Sequence, residues 1–199
     1  PRVGCRWRNP DAVNAPAVVV PLCSGRSATL LALLAGALHA LALAPWPSGG
    51  LQLLAQALLL ALLPWRSPRR AAWLGGCFGF TWLLGSVHWL FVSMHRYGQL
   101  PAWMAATALV ALVAFMALYV AAAAALWSAA APHGRLAAAG FWALVWLAVE
   151  LARAQWFTGF PWGAEGYAHV DSPLVVLAPW VGVHGVAAAA AGLAALLAL

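Results

Sequence analysis

The sequence has 199 residues, of which 65% are apolar and 7% charged, where an ordinary soluble domain carries roughly 45–50% and about 25%. Ten arginines, four acids and no lysine cannot clothe a water-soluble body of this length, whereas lipid solvates Leu, Ala, Val and Trp directly. An ordinary globular enzyme is excluded and a membrane protein is indicated. The net charge of +6 does not imply a nucleic-acid partner, because the arginines stand in short gaps between apolar runs and not along one face or in a basic tail.

In chain order, residues 1–26 combine Arg2, Arg6, Arg8 and Arg26 with Pro10, Pro16 and Pro21, which suits a polar leader better than a lipid-spanning helix. Residues 27–199 read as an all-α polytopic transmembrane domain of about six helices. Ser27 to Ala44 is the first apolar run; its Ala42-Leu43-Ala44 end imitates a signal-peptidase site, but further apolar runs favour a retained span. After the turn at Pro45-Trp46-Pro47-Ser48-Gly49-Gly50, Leu51 to Trp65 is a short second span. Ala71 to Val92, Pro101 to Ala131, Leu136 to Leu151 and Leu174 to Leu199 follow as spans three to six. Between the fifth and sixth, residues 152–173 form an irregular loop holding Arg153, Glu165 and Asp171, with Glu150 just before it. No internal repeat is visible. The chain begins at Pro1, where an initiator Met would stand, and stops at Leu199 inside an apolar run, so a fragment is expected.

Orientation follows from the arginines, since cytoplasmic segments retain Lys and Arg. With the N terminus inside, Arg2, Arg6, Arg8, Arg26, Arg66, Arg69, Arg70 and Arg135 are inner and only Arg96 and Arg153 outer. The 152–173 loop then faces the periplasm or exterior.

Several constellations bear on chemistry. Glu150 and Arg153, three apart on a helix, can pair on one face; the pair either anchors the loop near the interface or offers Arg153 to a phospholipid phosphate. In Trp156-Phe157-Thr158-Gly159-Phe160-Pro161-Trp162-Gly163, aromatics alternate with backbone breakers, which forbids a continuing helix. Either an interfacial aromatic belt or a loop lining a lipid-access cleft results. Histidines 39, 88, 95, 133, 169 and 184 lack metal-ligand spacing, although a haem between His39, His88 and His184 is sterically conceivable, and no metal or cofactor is expected. Ser86 and His88, two apart on a helix, should not face each other. Leu74-Gly75-Gly76-Cys77 imitates a lipoprotein acylation box but suits close helix packing better. The three cysteines form neither a metal site nor a disulfide framework.

The order of motifs resembles the membrane half of bacterial apolipoprotein N-acyltransferases. Phe157-Thr158-Gly159-Phe160-Pro161-Trp162 is followed by Gly166-Tyr167, Asp171-Ser172-Pro173-Leu174, Leu177-Ala178-Pro179 and Gly182-Val183. Leu43-Ala44-Pro45, Gly79-Phe80, Trp89 with Val92-Ser93, and Glu150 with Arg153 add to it. His88, Phe91 and Glu165 depart from the pattern, the last altering the polarity expected of the cleft.

The resemblance implies a location in the bacterial inner membrane and an acyl transfer at its outer leaflet. A phospholipid acyl donor loads an enzyme cysteine, and the amine of a diacylated apolipoprotein acceptor takes the acyl chain from the thioester. The Glu, Lys and Cys for this belong to a nitrilase-like domain following the spans. With no lysine here, no catalytic residue is expected in these 199 residues and the chain alone should be inactive. The resemblance also assigns Gly159, Phe160, Pro161, Trp162 and Tyr167 to a lipid cleft, supported by the Glu150–Arg153 pair. A small transporter or channel, with the histidines and Glu165 lining a path, is the alternative.

Overall fold

The computed structural model describes residues 25–43, 47–64 and 66–199. The 1–26 leader therefore lies almost wholly outside the described residues, as do Ala44 and Trp65 at the ends of the first two expected spans. The described residues are helical, with no strand among them. In order the helices are α1 (Gly25–Leu41), α2 (Gly49–Leu62), α3 (Pro68–Val87), α4 (Trp89–Val92), α5 (Ala102–Ala130), α6 (Arg135–Gln155) and α7 (Ala178–Ala198).

The start signals are local. Ser48 caps α2 by accepting from the Leu51 amide at 3.4 Å. Ser67 caps α3 by accepting from the Arg70 amide, with Pro68 in the first turn where its missing N–H costs nothing.

Three segments are long and apolar enough to cross a membrane: Ala102–Ala130, Arg135–Thr158 and Pro173–Ala198. A fourth is Pro68–Val87 taken with Trp89–Tyr97, bent by 48°. The expected third span thus does not run straight to Val92. It breaks at His88, and the chain continues through α4 into a π-helical turn at Ser93–Tyr97 that contains His95. The 17 residues of α1 and 14 of α2 are shorter; at 1.5 Å per residue, α2 reaches about 21 Å against a hydrocarbon core of about 30 Å.

Helix α3 lies between α1 and α5, and glycines bring the backbones together. A Cβ on Gly36 of α1 would stand 2.1 Å from the Phe78 carbonyl oxygen. One on Gly75 would stand 2.6 Å from Ala124 Cβ and 2.8 Å from the Val120 carbonyl oxygen. The Leu74-Gly75-Gly76-Cys77 stretch is therefore a packing seam between α3 and α5. The core centres on Phe78, Trp82, Trp142 and Trp146, with Trp82 stacked on Trp146 at a centroid distance of 5.9 Å.

Contacts between helix ends define two ends of the bundle. At the arginine end, Arg70 donates to the Gly25 carbonyl, Ser128 to the Arg66 carbonyl at 2.6 Å, and Arg135 to the Leu196 carbonyl. At the other end, the α3–α4 bend meets the segment between α6 and α7.

Candidate functional site

The segment 156–177 is irregular for reasons written in its residues. Helix α6 stops at Gln155, and Phe157, Thr158 and Gly159 take positive φ of 52°, 75° and 79°. Such φ values strain side-chain-bearing residues, at about 1–3 kcal/mol each, and persist only where the surroundings impose them. The surroundings here are the Gly159 and Phe160 amides, which return to the Trp156 and Arg153 carbonyls at 3.0 and 2.8 Å. Only glycine fits at 159, because a Cβ there would lie 2.1 Å from the Ala154 carbonyl oxygen. Three 3₁₀ turns, Trp156–Thr158, Glu165–His169 and Pro173–Leu177, carry the chain into α7, which breaks once more at Gly182 with φ 65°.

Beneath this segment lies a buried charge pair. Arg153 donates to Glu150 Oε1 at 2.7 Å and to the Trp162 carbonyl at 2.7 Å, while its guanidinium sits 5.4 Å from the Trp82 ring centre. His184 Nδ1 lies 3.2 Å from the other Glu150 oxygen, which joins α7 to the pair. Glu150 and Arg153 are 1% and 2% exposed, so they lie inside the bundle and not at its edge. A guanidinium so enclosed fixes the loop through its bond to Trp162; it is not open to a phosphate.

Above the pair, a cavity of ≈ 420 Å³ opens between the end of α1, the α3–α4 bend and the loop. Leu43, Ser86, His88, Trp89, Gly163 and Tyr167 line it. Ser86 and His88 both border this space, together with Gly85 and Trp89, because the cavity spans a wide arc of this stretch; it does not require the two side chains to face each other. The Ser86 hydroxyl donates to the Trp82 carbonyl at 2.9 Å and makes no hydrogen bond to His88. His88 Nδ1 lies 2.7 Å from the Gly85 carbonyl and carries the proton of that bond. Bordered by an imidazole, a phenol and a hydroxyl, with no carboxylate among its lining residues, the cavity can hold a ligand.

Of the residues expected at the cleft, Tyr167 lines the cavity. Trp162, 57% exposed, stands at its rim edge-to-face with Trp89 at 5.4 Å. Pro161 is exposed beside it, Phe160 packs half-buried against the core, and Gly159 serves the turn. Ser86, His88 and Trp89 join the site through a bend that no proline or glycine at residue 88 announces.

Glu165 turns away from the cavity. It is fully buried and accepts from Gln52 Nε2 and, at 3.3 Å, from Gln56 Nε2, with His39 Nε2 at 3.7 Å. His169 Nε2 lies 2.8 Å from Gln52 Oε1 and its Nδ1 3.0 Å from Ser172 Oγ. Burial, and then the Glu150 charge, push the Glu165 carboxyl well above the usual carboxylate range, while burial lowers His169. The cluster fastens the loop to α2. Its sequence signal is Gln52 and Gln56, four apart in an otherwise apolar helix, whose amides must find partners. His39, His88 and His184 hold separate places, against Trp82, the Gly85 carbonyl and Glu150, and do not converge on a haem. No group of three His, Cys, Asp or Glu among the described residues could hold a metal ion.

The fold and site define a helical domain with several apolar helices of membrane-crossing length and an open cavity at one end. Residues 35–196 match the apolipoprotein N-acyltransferase N-terminal domain, and the chain belongs to that family. It is 50% identical to an apolipoprotein N-acyltransferase of Verminephrobacter eiseniae, over 83% of this chain and 32% of that protein. It is 48% identical to one from Ralstonia nicotianae over 91% and 35%, and 41% identical to one from Azotobacter vinelandii over 87% and 34%. The chain spans about a third of the length of these curated relatives.

Proposed function

We propose that this chain supplies the membrane half of an apolipoprotein N-acyltransferase and that the cavity at Trp89, Trp162 and Tyr167 is its lipid-access cleft. The whole enzyme moves an acyl chain from a phospholipid ester to a cysteine sulfur, releasing lysophospholipid. The amine of a diacylglyceryl-cysteine lipoprotein then attacks the thioester and frees the thiol. Both substrates are lipids, so their binding site must open sideways to the bilayer while the reacting ester stays near water.

The observation that carries this reading is the way the loop is held. Arg153 fastens the Trp162 carbonyl from below, and Glu165 fastens the following turn to α2. The irregular backbone is thereby held against protein around an open cavity, the only setting in which such backbone is tolerated at membrane depth.

Six crossings are assigned to α1, α2, the bent α3–α4 segment, α5, α6 and α7, in the bacterial inner membrane with the N terminus cytoplasmic. The arginine end of the bundle supports this, since it gathers Arg66, Arg69, Arg70 and Arg135 where positive residues stay inside. A transporter or channel reading loses its support, because His39, Gln52, Gln56 and Glu165 are sealed against one another at 0% exposure and line no path.

Trp162→Ala in the whole enzyme should lower acylation of a diacylated lipoprotein peptide without lowering protein level; an unaltered rate refutes the cleft. The 199-residue chain incubated with phospholipid and the same peptide should give no triacylated product, because it contains no lysine and Cys77 lies on the flank of α3, away from the cavity. Triacylated product would overturn that inactivity.

A further inference from the structure

A second cavity, of ≈ 470 Å³, opens on the flank where α1, α3 and α5 meet. Along α3 its wall steps through Arg69, Trp73, Gly76 and Phe80, a spacing of three and four that keeps to one helix face. The facing wall on α5 is made largely of Ala114, Ala117 and Ala121. Small residues on both helices leave a trough where larger ones would have met. From Arg69 to Phe80 the trough runs about 16 Å at 1.5 Å per residue, close to half of a hydrocarbon core of about 30 Å. It is one leaflet deep.

Its polar end is equally specific. Arg69 is exposed, and no hydrogen bond or ion pair among the described residues engages its guanidinium. The neighbouring Arg70 is committed to the Gly25 carbonyl and the Thr29 hydroxyl. Trp73, one turn deeper, donates its indole N–H to Thr29 at 3.1 Å while its ring stays 56% exposed, the disposition of a residue at the headgroup boundary. An apolar trough of leaflet length headed by an available guanidinium, beside Arg66 and Arg70, complements a phosphodiester that carries acyl chains.

We propose that this groove binds one glycerophospholipid of the leaflet at the arginine end, with one acyl chain between α3 and α5 and its phosphate on the Arg69 guanidinium. Only the placing of that leaflet at the cytoplasmic face rests on the orientation proposed above. The lipid is not the acyl donor, because the groove and the Trp89 cavity share no lining residue. It fills the seam that the small residues leave beside α3.

The test is native mass spectrometry of the purified chain, exchanged from mixed phosphatidylglycerol and phosphatidylethanolamine micelles into mild detergent. The wild type should retain one phospholipid per chain. Ala114→Trp, which sets an indole across the groove from an exposed position, and Arg69→Gln, which removes a charge-assisted bond, should each weaken retention about tenfold. Leu144→Trp, on the exposed side of α6, should not. A wild type that retains no phospholipid, or both groove variants retaining it as the wild type does, overturns the proposal. So does a dimer that Ala114→Trp dissolves, which would seat a second copy there. If Ala114→Trp fails to fold, Arg69→Gln, altered at an exposed side chain, decides alone. Retention is read without turnover, so its failure is distinct from failure of the acyltransferase reading.

Discussion

Replacing Arg153 by Met tests how the loop is held. The side chain is 2% exposed and serves two acceptors at 2.7 Å, Glu150 Oε1 and the Trp162 carbonyl. Methionine keeps the volume and removes both bonds. Glu150 is then left inside the bundle with His184 at 3.2 Å as its remaining partner. Removing one partner of a buried pair costs about 3–5 kcal/mol, whereas replacing both by apolar groups is often close to neutral. The double variant Glu150→Leu/Arg153→Met still orphans the Trp162 carbonyl, a loss of about 1–3 kcal/mol. The single variant should therefore melt below the double one. At roughly 2–4 °C per kcal/mol for a chain of this size, Arg153→Met should lower Tm by roughly 6–20 °C in detergent. Thermal unfolding followed by circular dichroism and by loss of monodisperse protein reads both. A single variant within about 1 kcal/mol of wild type, or a double variant worse than the single, would refute the claim that this pair anchors the loop.

Glu165 gives a pH test. Because its carboxyl is raised on folding, its contribution is fully present below the ordinary carboxylate range and is lost as pH rises toward the folded value. The difference in Tm between wild type and Glu165→Gln should move in favour of the variant from pH 5 to pH 8, and a constant difference would deny the shift. Helix packing predicts a contrast between neighbours: Gly75→Leu, aimed at Ala124 and Val120, should cost at least about 1–3 kcal/mol, while Gly76→Ala, whose nearest neighbour would be 3.6 Å away, should melt as wild type. Orientation is read with an impermeant thiol reagent on spheroplasts, with the native cysteines changed to Ser. Asp171→Cys should label from outside and His133→Cys only after lysis; the reverse pattern would invert the topology.

Much of the helical layout was legible because long apolar runs and caps are local signals. Helices α2 and α3 begin at Gly49 and Pro68, two and three residues before the expected second and third spans, and α5 falls within a residue of the expected fourth. The loop was legible as irregular because Gly159 and Pro161 forbid a helix. Its hold was not. Gln52 and Gln56 stand more than a hundred residues from Glu165, and nothing local says that a loop carboxylate will dock on them. Nor does sequence spacing reveal that Ser86 and His88 border one cavity, since its other walls come from the end of α1 and from the loop at Gly163 and Tyr167.

The sequence by itself determined that this chain is predominantly apolar and helical, where most of its helices run and that residues 156–163 interrupt them, since each follows from composition or from one residue's backbone chemistry. Tertiary structure alone decided which polar groups neutralise one another and where space is left open. Burial inside the bundle makes every unpaired charge or amide costly, so Glu150, Arg153, Glu165, Gln52 and Gln56 occupy the places where their partners meet.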